Sequence, residues 1–117
     1  MNRSFERVTF NVNFPLDADG ETVPLSIGKY VSFGVYATLT YGIGEDAAGN
    51  IYLEISDDKT NWSAISTSLT AYTSSTTYLT WTRDSNPFKY IRVKVDNNSG
   101  TGGLMDVYLE GLLVEGA

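Results

Sequence analysis

Asn50 to Ile65 is the stretch that most restricts what this chain can become. Ile51, Leu53 and Ile55 alternate with Tyr52, Glu54 and Ser56, a period of two that sets three aliphatics on one face of a sheet. Ser56-Asp57-Asp58-Lys59-Thr60-Asn61 comes next, a run of turn formers whose short polar side chains bond nearby backbone. Trp62 follows at once, and Ile65 lies beyond it. The pattern predicts a β-hairpin with a large aromatic on its returning arm.

The same alternation recurs along the chain. Between Arg7 and Phe14 it places Val8, Phe10, Val12 and Phe14 on one face, until Pro15 stops the strand. Val23-Pro24-Leu25 suits only a sheet edge, because Pro24 has no N–H to give a neighbour. Lys29 to Tyr41 is the longest run: Val31, Phe33, Val35, Ala37 and Leu39 oppose Tyr30, Ser32, Tyr36, Thr38 and Thr40. That is the signature of a half-buried strand. Residues 42–49 form a loop, and Ser63 to Thr77 holds strands at its two ends around Ser74-Ser75. Leu79 and Trp81 point inward from Tyr78–Thr82, and Ile91, Val93 and Val95 oppose Tyr90, Arg92 and Lys94. A connection over Asn97 to Gly103 leads to the last strand, Leu104 to Val114. Its inner set, Met105, Val107 and Leu109, changes phase at Gly111 to Leu112 and Val114, as a glycine bulge would allow.

About seven or eight short strands with frequent turn signals and no helical pattern predict an antiparallel β-sandwich of jelly-roll type. A closed barrel is the alternative. The 117 residues suffice for one modest core, so the expectation is one domain over residues 1–117.

Composition narrows the function classes. The chain has neither cysteine nor histidine, which excludes disulfides, thiolate metal sites and any Ser-His or Cys-His nucleophile. A Ser-Lys device or a carboxylate pair stays formally open, but no motif points to one. The reading is therefore non-enzymatic, with no catalytic residues, cofactor or metal. A net charge of −6 disfavours nucleic acid and anionic membrane surfaces as partners. MNRSFERVTF lacks a signal-peptide apolar segment, so secretion by the usual route is not expected.

Candidate binding residues are aromatic. Tyr30, Tyr36, Tyr52, Tyr90 and Tyr108 fall on the polar sides of their strands, where tyrosine suits an interface and equally suits cross-strand pairing on a solvated face. Trp62 and Trp81 would make a glycan-stacking platform if exposed, but their aliphatic neighbours favour core roles. Asp17, Asp19 and Glu21 beside Gly20 loosely resemble a calcium loop, yet the full ligand pattern is missing and a polar turn fits better. Glu45-Asp46 and Asp57-Asp58 read as solvated turn residues. Arg92 and Lys94 share a face on which Glu54 or Glu110 could offset them, and reversing the charge of Arg92 is expected to leave folding largely intact.

The run Ser56-Asp57-Asp58-Lys59-Thr60-Asn61-Trp62, followed by Phe88-Lys89-Tyr90-Ile91-Arg92-Val93, resembles the S-x-D-G-x-x-W signature of discoidin-like (galactose-binding-like) jelly rolls. It also resembles short virion proteins of tailed phages that carry that signature. The likeness covers Asn50 to Val114, and Thr101-Gly102 fits the phage form. Lys59 stands where the pattern has glycine, which predicts a different turn type. The resemblance implies a virion structural protein: a capsid decoration (cement) protein seated on the assembled head, or a module of a head or tail appendage. It implies a major capsid protein or other virion protein as partner, and assembly as a homo-oligomer. The N-terminal strand or tail is the expected contact element, since β units add strands to partners at termini and edges. The alternative is a carbohydrate-binding module of a phage appendage that mediates adhesion to glycans.

Overall fold

The computed structural model describes residues 2–97 and 100–115, with side chains from Ser4 to Leu113 outside that gap. Ten strands form two antiparallel sheets: β1 (Asn2–Pro15), β2 (Gly20–Glu21), β3 (Leu25–Ser26), β4 (Ser32–Thr40), β5 (Ala48–Ser56), β6 (Ser63–Ala64), β7 (Thr70–Thr73), β8 (Tyr78–Arg83), β9 (Tyr90–Asn97) and β10 (Leu104–Glu115). The first sheet runs β1-β10-β4-β8. In the second, β9 and β5 are central; β2 and β3 share the lane beside β9, and β6 and β7 the lane beside β5. Ten strands thus fill eight lanes. Counted along the chain, the lanes lie 1-8-3-6 in one sheet and 2-7-4-5 in the other. That interleaving is a jelly roll.

The core is the dry layer between the sheets. Val35, Ala37 and Leu39 of β4 and Met105, Val107 and Leu109 of β10 meet Ile51 and Leu53 of β5 and Ile91, Val93 and Val95 of β9. Each is the inward set expected from alternation. Trp81 is buried as expected, its Nε1 donating to the Ser68 carbonyl at 2.8 Å.

Both outer lanes of the second sheet are broken, and each break is bridged by a buried hydroxyl. Where β2 gives way to β3 around Val23-Pro24, the Thr22 N–H donates to the Val93 carbonyl, and Val93 N–H donates back to Thr22 Oγ1, each at 2.9 Å. Where β6 gives way to β7, a 3-10 turn over Ser66–Ser68 intervenes. There Leu53 N–H donates to Ser68 Oγ at 2.9 Å, and Ser68 Oγ donates to the Ile65 carbonyl at 2.6 Å. Thr22 and Ser68 are 2% and 3% exposed. Each supplies the acceptor that a missing strand would have given, as buried backbone requires.

Four sequence expectations fail locally. Val12 is 66% exposed, because irregularities between Thr9 and Asn11 and between Asn11 and Phe14 turn β1, and Asn13 adopts φ 56. Val31 is 46% exposed and Tyr30 only 2%, since β4 starts at Ser32 and the two residues precede the pleat that was to order them. β10 does not slip at Gly111. Its pairing with β4 runs unbroken through Leu112, and Leu113 continues the inner set, packed against the core. Gly111 faces Tyr30 instead: a Cβ there would lie 2.3 Å from the ring. The Val114 side chain expected to follow lies outside the described ones.

Two substitutions test this packing. Thr22→Val keeps the volume but strands the Val93 N–H, and should cost about 1–3 kcal/mol in urea unfolding. Gly111→Ala drives a methyl into Tyr30 and should cost about 1–3 kcal/mol despite alanine's smaller backbone entropy loss.

Candidate binding surfaces

The outward side chains fall into two separate fields, one per sheet. On the first sheet, Tyr36 and Tyr108 sit opposite each other across β4 and β10 and stack at 5.2 Å between centroids and 22° between planes. Arg7 from β1 lies over the free side of Tyr108 at 4.3 Å and donates to Glu110 at 3.2 Å. Tyr36 leans along its own strand over Gly34, where a Cβ would come within 2.7 Å of the phenol oxygen. Burial, then the Glu110 charge, raises the pKa of Tyr36. Tyr78 continues the field opposite Thr38 and is 53% exposed. At the other end Phe5, 74% exposed, pairs with Leu112 and borders a shallow depression floored by Ser32 and Gly34.

The second field is an ion-pair lattice rather than an aromatic one. Register sets Glu54 beside Arg92 and Tyr52 beside Lys94 across β5 and β9, with Glu21 of β2 beside Lys94. Arg92 Nε donates to Glu54 at 2.8 Å, while Lys94 lies 3.4 Å from Glu21. The Arg92 guanidinium also lies 4.2 Å over the Trp62 ring. Trp62 is therefore not in the core as its neighbours suggested. It lies half-buried against the outer side of the sheet, its Nε1 donating to the Lys59 carbonyl at 3.2 Å. Glu54 offsets Arg92 as expected; Glu110 belongs to the other field, with Arg7.

The hairpin turn is built around Asp58. Its Oδ1 accepts from the N–H groups of Thr60 and Asn61 and from Ser56 Oγ, and these donors hold its carboxyl far below the usual carboxylate range. Lys59 N–H donates to Ser56 Oγ at 2.9 Å. Lys59 has φ 65, the left-handed backbone that glycine adopts freely and other residues rarely do. The left-handed position is thus held by a lysine, where a lysine was expected to change the turn.

The five tyrosines do not form one surface. Tyr36 and Tyr108 share the first field, and Tyr52 and Tyr90 lie half-buried on the second, with Lys59 4.9 Å over the Tyr90 ring. Tyr30 is not on the polar face at all: its ring fills the space over Gly111, and its hydroxyl donates to Glu6 at 2.6 Å. Of the acidic residues, Asp19 accepts the Asn97 N–H at 2.7 Å while Glu21 faces Lys94, so the loop Asp17–Glu21 does not converge. Among the described residues no three acidic side chains gather as metal ligands. Hydrophobic alternation does not mark the Trp62–Arg92–Glu54 cluster, which forms only once β5 and β9 are in register.

No family model matches the sequence, and no curated protein does either. The fold is similar to the crystal structure of the SPBc2 prophage-derived protein YomS, at 14% identity and TM-score 0.61, over 96% of each chain. It is also similar to a chain in the structure of infectious bursal disease virus, Gx strain, at 10% identity and TM-score 0.54. That match covers 99% of this chain but 34% of the other, so this chain spans about a third of that protein's length.

Arg92→Ala should uncover Trp62 and leave Glu54 without its cation. The expected result is a red-shifted Trp62 emission, read in a Trp81→Phe background, and a loss of about 1–3 kcal/mol in chemical denaturation. Arg92 does face outward, yet its side chain is only 19% exposed. Charge reversal should accordingly cost more than an ordinary surface change.

Proposed function

We propose that this chain is a non-enzymatic structural protein of a tailed-phage virion, most specifically a decoration protein that binds the assembled head. The observation that carries this reading is the end-to-end likeness of its jelly roll to a prophage-derived protein of the same extent. A viral protein of quite different length that holds the same fold adds support. The reading places the protein in the virion, as a homo-oligomer, with the major capsid protein or another virion protein as partner.

Adhesion is the chemistry its surface suits. The Tyr36–Tyr108 stack is rigid, amphipathic and clamped by Arg7, the kind of aromatic and arginine surface that dominates binding energy in protein interfaces. β1 adds a 14-residue strand at the rim of the first sheet, with Phe5 and Val12 exposed along it. The alternative of a glycan-binding appendage module draws little from the tryptophans. Trp81 is buried with its N–H committed, and one face of Trp62 is covered by Arg92.

The decisive assay is co-sedimentation of the purified chain with assembled phage shells. Saturable binding is expected, weakened at least about tenfold by Tyr36→Ala with Tyr108→Ala, on the scale of two interface anchors. Retention on a glycan array with no binding to shells would sink the decoration reading.

A further inference from the structure

The rims of the two sheets are not alike. In the second sheet both outer lanes are broken, one of them beside Pro24. In the first, β8 runs for 6 residues and β1 for 14. Among the described residues β1 pairs only with β10, which leaves its other edge without a strand. Its register against β10 is steady from Asn2↔Glu115 to Thr9↔Tyr108, and irregularities begin only beyond Thr9. No lysine or proline occurs from Asn2 to Phe14. Edge strands of β proteins are usually blunted by short length, a bulge, proline or a free charge. The first half of β1 is long, regular and free of the first three.

The fourth device is disarmed within the chain. Glu6 accepts from the Tyr30 hydroxyl at 2.6 Å and lies 2.7 Å from Lys29 Nζ. Arg7 donates to Glu110 and lies over the Tyr108 ring. Neither is a free charge that would turn a second strand away. Phe5, beside them at the middle of the steady stretch, keeps most of its ring in water.

We infer that β1 is the contact between two copies of this chain, paired antiparallel about a two-fold axis at Phe5. Opposed residues of an antiparallel pair share a face, so the axis falls on a residue. Placed at Phe5, it pairs residues 2–8 of one copy with residues 8–2 of the other, all within the regular stretch. Phe5 then meets Phe5 as a cross-strand aromatic pair, and Ser4 lies beside Glu6. Arg3 falls beside Arg7, whose guanidinium is already drawn onto Glu110 and Tyr108. An axis one or two residues further on would set Glu6 against Glu6 or Arg7 against Arg7 directly.

A charge of −6 on each copy opposes association, and this arrangement limits the repulsion. Asp17, Asp19 and Glu21 follow the Pro15 end of β1. An antiparallel pair centred near the other end keeps these carboxylates at opposite extremes, whereas a parallel pair would set them side by side. The two four-stranded sheets then join into one of eight strands. Both Tyr36–Tyr108 stacks look out from the same face of it, and a pair of linked contacts binds more tightly than either alone. The inference rests on the proposed homo-oligomer and names its interface, but its test uses no phage shells and so stands or falls apart from head binding.

The chain has no cysteine, so a single introduced one reports without background. Phe5→Cys is expected to give a disulfide-linked dimer under mild oxidation, while Thr80→Cys, exposed on β8, stays monomeric. Sedimentation equilibrium of the parent chain should show monomer and dimer in exchange. Phe5→Lys should weaken the dimer at least about tenfold, since it removes an aromatic anchor and sets like charges across the axis. Because Phe5 is largely exposed, the urea midpoint of Phe5→Lys, compared as monomers, should match the parent's. A parent chain that stays monomeric overturns the inference. So does a dimer that a folded Phe5→Lys chain still forms, or equal crosslinking of the two cysteine variants. If Phe5→Lys fails to fold, the cysteine comparison decides alone.

Discussion

The second sheet stands or falls on the backbone N–H groups of its two central strands. β5 and β9 are paired with each other along their length, but their outer sides meet only fragments. A buried N–H left without an acceptor costs more than most single contacts return. Thr22 and Ser68 resolve this at equivalent places on opposite rims, each putting a hydroxyl oxygen where a carbonyl would have been. The sheet can therefore be narrow at its edges and still keep a dry interior. Broken lanes also make poor templates for another strand, which is how natural β proteins limit edge-to-edge association. β1, continuous over 14 residues, is the contrasting case.

The two outer faces do different physical work. On the second sheet, opposite charges and one tryptophan are tied together across three lanes, and the Arg92 guanidinium is used twice, by Glu54 and by the indole. Such a surface is largely satisfied by itself. On the first sheet the tyrosines stack on each other and still leave Tyr78, Phe5 and several threonines to solvent. The proposed adhesive role therefore belongs more naturally to the first sheet, where apolar area remains to be covered.

How much of this was legible in the sequence depends on whether the pleat was interrupted. Where strands run without irregularity, as in β5, β9 and the middle of β4, alternation alone assigned the buried face of every aliphatic. It misassigned Val12 alone on β1: two irregularities and left-handed Asn13 turn that residue outward while Val8, Phe10 and Phe14 keep the expected face, and neither leaves a mark in hydrophobic periodicity. Tyr30 and Gly111 explain each other, but they are 81 positions apart, and a glycine that makes room for a ring looks in sequence like one that makes a bulge. Trp62 was assigned to the core by its neighbours in sequence; its actual neighbour is Arg92, brought alongside only once β5 and β9 are in register. The tyrosines could be placed on faces of strands but not gathered into surfaces, since that needs lane order, which single-strand patterns do not contain.

Asp17, Asp19, Glu45, Asp46, Asp96 and Asp106 all lie at one end of the strands, and that uneven distribution gives the molecule a permanent electric moment as well as a net charge. In the field of a charged surface it experiences a torque before any atom touches, and it arrives with one end forward. Orientational search is normally the slow part of protein association, and long-range steering shortens it. Random collisions thus become aligned ones, to a degree set by ionic strength.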